Sequence, residues 1–440
     1  MHLASFIYPP VGNHGAWRMK ESRPEMDLDI NAHVEAARLA EAAKMDTIFY
    51  ADTMAIKRSN NLHRGDTYGG VQPDAMALEP PTLLAALAMV TKHIGLAATA
   101  STTYNEPFNI ARRFATLDHI SRGRAGWNLV TSQNDNEAAN FRAGDHMDHA
   151  DRYERAAEFF EVVSKLWDTW DAGAVTRDKE SGVYFDISKM HFADHHGKHF
   201  DVRGPLNIDT PPQGYPVIFQ AGSSGVGKEL AARTADVVFT AQNDIAAALT
   251  FRKDLNQLLA KYGRKPGDLK VLVGFGPTVG DTEQSAHALA QRMQDLIPDD
   301  QAISALLHIS GGLDLRQFPL DGPLPDLPPA NTAKGRQDLV VALAKRDNLT
   351  LRQVAKRWAD GQGHLMKVGT PEQVADMMEE WVNAGACDGF VVKYSHFPGG
   401  VYDFMQGVIP ELQRRGSFRT EYEGKTLRDH LGLQRRGRNA

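Results

Sequence analysis

Cysteine is almost missing from this chain: Cys387 is the single one among 440 residues. No disulfide can form within the chain, thiolate metal sites are excluded, and the lone thiol reads as a small buried residue. Long apolar runs are missing too. No stretch of about 18 consecutive apolar residues occurs, so no membrane-spanning helix is expected. A basic segment followed by an apolar one is absent at the N-terminus, which Pro9-Pro10 interrupts, so no signal peptide is expected and the chain reads as cytoplasmic. Neither sign of charge dominates. The net charge of −6 leaves no electrostatic footprint for nucleic acid. The short basic end at 434–440, with Arg435, Arg436 and Arg438, is expected to be a frayed, solvated tail. There is no internal repeat and no low-complexity tract. No Ser-centred G-x-S-x-G elbow appears, so an α/β-hydrolase triad has no anchor.

What is present is ordinary soluble-enzyme material, 42% hydrophobic and 24% charged, enough for a large core. Short apolar runs recur at about 3–8, 46–51, 94–100, 124–130, 216–220, 235–240, 270–276 and 388–393, which read as strands. Helical patterns lie between them at about 31–44, 80–92, 107–120, 151–170, 227–234, 244–262, 281–297, 371–385 and 402–415. Eight strands alternating with helices predict an α/β fold, a (β/α)8 TIM barrel, with a doubly wound open sheet as the alternative. The expected domain is a single unit over about 1–433, with insertions near 53–79, 171–213 and 298–368. The last contains helical pieces near 336–346 and 350–360 and a Pro-rich stretch, 318–329, expected to be a stiff surface connection.

The sharpest local feature is Gln220-Ala-Gly-Ser-Ser-Gly-Val-Gly-Lys-Glu229, between an apolar run and a helical pattern. A strand, a small-residue turn and a helix start make an anion site, because free N–H groups and the helix dipole converge there. Gly222, Gly227 and Lys228 match part of a P-loop, but Glu229 stands where that motif needs Ser or Thr for magnesium. A phosphate or cofactor loop is the better reading. In a barrel, the strand C-termini carry the site. Those positions hold Asp52, Thr99 with Ser101, Asn128 with Thr131, and the Ser223-Ser224 turn. His149 and Tyr153 are four apart at a helix start and share a face. Two histidine clusters, Asp145–His149 and His191, His195, His196, His199, lack any specific metal-ligand spacing. The second reads as solvated loop histidines, and no metal is expected. Gly274-Phe-Gly-Pro-Thr-Val-Gly280 has the wrong spacing for a dinucleotide fingerprint.

Several stretches then fall into one order: Tyr104-Asn-Glu-Pro-Phe108, Leu117-Asp-His-Ile-Ser121, Gly123-Arg-Ala-Gly-Trp-Asn-Leu-Val-Thr-Ser132, Asp151-Arg-Tyr153, Gly204-Pro-Leu-Asn207, Gln220-Ala-Gly-Ser-Ser224 and Arg419-Thr-Glu-Tyr-Glu-Gly424. Together they resemble the nitrilotriacetate monooxygenase component A family, within the bacterial-luciferase-like flavin monooxygenases. Its relatives include EDTA and dibenzothiophene-sulfone monooxygenases and the pristinamycin oxidase subunit. The resemblance implies a TIM barrel that uses reduced FMN from a separate NAD(P)H:flavin reductase, with O2 as co-substrate. One oxygen atom passes to a small organic substrate, such as an amine-carboxylate, organosulfur or heterocyclic compound. It also implies a homodimer or homotetramer. The family's flavin contacts fall on Asp52, Thr99, Asn128, His149, Tyr153, Ser223 and Ser224. The serine turn and Tyr153 hold the phosphate. Asp52, Thr99 and Asn128 lie near the ring, and Asn128 and His149 are the candidate catalytic donors. The insertions 53–79 and 298–368 are candidate lids. Lys57, Arg58, His63 and Arg64 fit an anionic substrate, a solvated lid or a subunit contact equally. Other classes left open are a non-catalytic flavin- or nucleotide-binding protein and a metal-dependent barrel hydrolase.

Overall fold

A computed structural model describes residues 1–7, 12–56, 76–132, 136–141, 146–329 and 334–438. Lys57, Arg58, His63, Arg64 and Asp145 lie outside the described residues.

Eight parallel strands close into a barrel: β1 His2–Phe6, β2 Thr47–Tyr50, β3 Gly95–Ser101, β4 Ala125–Val130, β5 Val217–Gln220, β6 Val237–Thr240, β7 Lys270–Val279 and β8 Gly389–Lys393. Each pairs with the next and β8 returns to β1, so no sheet edge is left in the ring. The open-sheet alternative is thereby excluded. Helices follow the strands: α1 Ile30–Ala42, α2 Pro80–Ala88, α3 Pro107–Ser121, α4 Asn136–Phe141, α5 His149–Trp167, α6 Gly225–Thr234, α7 Ile245–Lys261, α8 Glu283–Asp295 and α12 Pro371–Asn383, with α9 Asp299–Leu306, α10 Lys334–Arg346 and α11 Leu351–Gly361 between the last two.

Both faces of the strands are buried, which is why they read as unbroken apolar runs. One set of alternate residues, including Ala4, Phe49, Ala97, Phe219, Phe239 and Val391, fills the barrel. The other set, including Leu3, Ile48, Leu96, Trp127, Ile218 and Phe390, packs under the helices. Gly126 makes room for this filling, since a Cβ there would come within 2.8 Å of the Phe219 ring.

The N-terminal end of the barrel is corked by the chain's own C-terminus. Leu427, Leu431 and Leu433 join the interior cluster, and a Cβ on Gly95 would lie 2.4 Å from Leu427 Cδ1. Here the sequence reading of the tail needs correction. Asp236 is fully buried, and Arg428 Nη2 (2.8 Å) and Arg436 Nη1 (3.1 Å) neutralise it. Arg435 Nη1 donates to Pro212 O at 3.0 Å, and the Arg438 N–H donates to Asp168 Oδ1 at 2.7 Å. A buried carboxylate that needs two guanidinium partners holds the tail down.

The region near 298–368 has a core of its own, built from Ile303, Leu306, Val340, Val354 and Trp358 among others. The Pro-rich stretch lays Phe318, Leu320, Leu324 and Leu327 against that core, so it is a packed strap and not a bare surface connection. An additional strand, Leu365–Gly369, runs parallel to β7 at Phe275–Val279. That pairing accounts for β7 continuing beyond the apolar run ending near 276. The Gly274–Gly280 stretch is therefore mostly strand, and it forms no phosphate-binding turn.

Candidate active site

Asp52, Thr99 and Asn128 stand at the C-terminal ends of three consecutive strands, β2, β3 and β4, with Thr99 and Asn128 directly paired in register. Thr99 Oγ1 donates to Tyr50 O at 2.9 Å, and Asn128 Nδ2 donates to Thr99 Oγ1 at 2.8 Å. The threonine has one proton and spends it on the carbonyl, so the amide group facing it must be the NH2 end. Asn128 Oδ1 is left buried with no partner among the described residues. An orphaned buried acceptor costs about 1–3 kcal/mol, and a ligand N–H placed at the mouth would satisfy it.

Burial pushes the Asp52 carboxyl up to about 6, with the charges of Glu79 and Glu137 adding and the Thr53 backbone N–H opposing. His149 opens α5 and its ring lies against Tyr153, centroids 4.8 Å apart, as the four-residue spacing required. Burial, then the Arg152 charge, lower its pKa. The imidazole is neutral at pH 7 and offers one N–H.

The Ser223-Ser224 turn follows β5 and opens α6. Ser224 is the helix N-cap, its Oγ accepting from the Gly227 N–H at 3.2 Å. That use was not foreseen, and it leaves the hydroxyl proton free to be donated. Gly222 and Gly227 pack backbone to backbone: a Cβ on Gly222 would sit 2.9 Å from Gly227 Cα. Ser223 is exposed and abuts the start of α10, where a Cβ on Gly335 would lie 2.6 Å from its Oγ. The P-loop alternative fails on geometry. Lys228 Nζ is paired with Asp254 of α7 at 2.6 Å, and Glu229 accepts from Tyr262 at 2.6 Å and from Lys261. Both side chains are committed to α7 and its C-cap.

Two groups escaped the sequence reading. Glu137 of α4 accepts from Thr53 after β2 and from Ser132 after β4, and Ser132 in turn meets Ser101 of β3. His364, brought in from the 298–368 region, stacks on Phe239 with centroids 5.4 Å apart and its buried Nδ1 unpartnered among the described residues. With Asn13, Asp360, Met366, Lys393 and Ser395 it lines a small cavity at the same end of the barrel. Lys393, a cation ending a buried strand, was legible as a site candidate. His364 was not, since it precedes a strand that does not belong to the barrel.

The loop histidines are corrected as well. Among them His196 is exposed, but His195 is buried, with Nε2 3.2 Å from Glu158 and Nδ1 3.1 Å from Lys165. They tie the 171–213 region to α5. Among the described residues no group of three or more His, Cys, Asp or Glu side chains is placed to hold a metal ion. Burial pushes the Cys387 thiol up to about 12, which fits a packing residue and not a nucleophile.

A family profile described as Luciferase-like monooxygenase matches residues 9–387. The chain is 50% identical over 435 residues to nitrilotriacetate monooxygenase component A of Aminobacter aminovorans, covering 98% of this chain and 96% of that protein. It is 47% identical over 429 residues to N-acetyl-S-(2-succino)cysteine monooxygenase of Bacillus subtilis (strain 168), covering 97% and 95%. Among solved structures, a riboflavin lyase with modified FMN and substrate riboflavin superposes with a TM-score of 0.87 at 30% identity, covering 99% of this chain and 96% of that one.

Proposed function

Because the chain belongs to the luciferase-like monooxygenase family, we propose that it is the oxygenating component of a two-component system that works with FMN. The observation that carries this reading is the orphaned Asn128 Oδ1, a buried acceptor on β4 beside Thr99 that a flavin ring N–H suits. Asp52, Thr99 and Asn128 would hold the ring. Ser223, Ser224 and Tyr153 would hold the phosphate, aided by the α6 N-terminus. Reduced FMN supplies the reaction with dioxygen that delivers one oxygen atom to the substrate.

The protein's own part is positional. Asn128, fixed by Thr99, orients the ring. Neutral His149 presents a fixed N–H donor toward developing negative charge. Phe6 and Phe239, whose rings lie 6.3 Å apart inside the barrel mouth, exclude water from beneath. The working unit is one barrel domain over about 1–433, with the 53–79 and 298–368 regions as lids. A separate NAD(P)H:flavin reductase supplies the reduced cofactor, and the chain assembles as a homodimer or homotetramer. Relatives named for nitrilotriacetate and N-acetyl-S-(2-succino)cysteine favour a small, carboxylate-bearing amine or sulfur compound as substrate.

The test uses the purified chain with NADH, FMN and O2, with and without an added flavin reductase. Oxygenated nitrilotriacetate is expected only in the complete mixture. Rapid NADH-dependent FMN reduction by the chain alone would overturn the two-component reading.

A further inference from the structure

The three strands that carry Asp52, Thr99 and Asn128 are tied a second time, above those residues, by one carboxylate. Glu137 is buried, 4% exposed. Its Oε2 accepts from Ser132 Oγ at 2.6 Å and its Oε1 from Thr53 Oγ1 at 2.9 Å, and the Met54 backbone N–H also donates to it. Ser132 Oγ in turn lies 2.7 Å from Ser101 Oγ, which accepts from the Thr103 N–H at 3.1 Å. Proton counting gives the chain one direction. Ser132 spends its proton on Glu137, so Ser101 must spend its own on Ser132. The sequence Thr103 N–H, Ser101, Ser132, Glu137 is a set of donors polarised toward one anion.

Each partner follows a ring-side residue on the same segment of chain. Thr53 follows Asp52, Ser101 lies two residues beyond Thr99 on β3, and Ser132 ends the segment leaving Asn128 on β4. Ser132 is held with φ at +54°, a left-handed conformation that an L side chain adopts at a cost of about 1–2 kcal/mol. The hydrogen bond to Glu137 is what this conformation delivers.

We propose that Glu137 is a positioning residue: it fixes the spacing of the β2, β3 and β4 ends against the flavin ring and does not itself touch the phosphate. This rests on the FMN reading above. Among the described residues, the charged groups acting on Asp52 are Glu79 at the N-cap of α2 and Glu137 of α4, while Arg152 of α5 acts on Glu137. After burial, the Thr53 N–H and Glu79, the Glu137 charge is the smallest of the influences that act on Asp52.

The experiment measures dissociation constants of FMN and riboflavin for the full chain by flavin fluorescence, from pH 5 to 8, in wild type, Glu137→Gln and Thr53→Val. Glu137→Gln should weaken both flavins by about tenfold or more, in equal ratio. It should also lower the pH midpoint of flavin affinity, because one of the charges that keeps Asp52 protonated is gone. A residue that only supports folding would not move that midpoint. Thr53→Val removes one donor to the carboxylate and keeps the carboxylate itself, so it should weaken both flavins by a smaller factor and in equal ratio. If Glu137→Gln fails to fold, Thr53→Val alone decides. Variants within twofold of wild type for both flavins, or a loss confined to FMN, overturn the proposal. A wild-type chain that binds neither flavin brings down the FMN reading and this inference together.

Discussion

Asp52 is a carboxyl whose native pKa, about 6, lies above its ordinary value of 3.8. Between those pH values the folded chain holds more protons than the unfolded one, so this residue's contribution to stability falls as pH rises through that window. Asp52→Asn removes the penalty. Denaturant midpoints should show the variant gaining on wild type between pH 4 and pH 7, and an equal difference at both values would contradict the assignment. At this scale the sequence was informative where chemistry is local. The His149–Tyr153 pair follows from helical spacing, and the Ser223-Ser224 turn from its small residues. Glu137 was illegible because its carboxylate serves Thr53, 84 positions away, and nothing in either segment advertises the other.

The barrel strands were readable because both faces are buried, which leaves eight apolar runs between polar connections. The strand Leu365–Gly369 was not readable: four of its five residues are only half-buried, so it shows neither an apolar run nor a clean alternation. The four-residue helix Leu427–His430 near the C-terminus is likewise too short to carry a period. Yet its Leu427 is part of the cork. Leu427→Ala and Leu431→Ala, both fully buried, should each cost about 2–5 kcal/mol. Asp236→Ala, which strands Arg428 without its partner, should cost about 3–5 kcal/mol. Equilibrium urea denaturation checks all three. Losses below about 1 kcal/mol would mean that the C-terminal segment lies loosely on the barrel.

For the whole molecule, the ordered motifs resembled the family and the eight alternating strands predicted the barrel, and both expectations hold. The 298–368 region reads as an insertion in the sequence, but its separate core was hidden because the helices and the strap close on each other through contacts distant in sequence. The proposed assembly is open to light scattering. A single species of 48.5 kDa across micromolar concentrations would exclude a stable homodimer or homotetramer.

The central claim is that one end of the barrel holds FMN with its phosphate at the α6 turn and its ring at the β2–β4 ends. The relative affinity for FMN and riboflavin tests it, because riboflavin lacks the phosphate. Ser223→Ala and Tyr153→Phe should each weaken FMN by roughly one to two orders of magnitude, the worth of a hydrogen bond to a charged group, and leave riboflavin nearly unchanged. Asn128→Ala should weaken both flavins alike. If the phosphate-side variants keep the wild-type ratio of FMN to riboflavin affinity, the turn at Gly222–Ser224 does not bind the phosphate and the proposed placement is wrong.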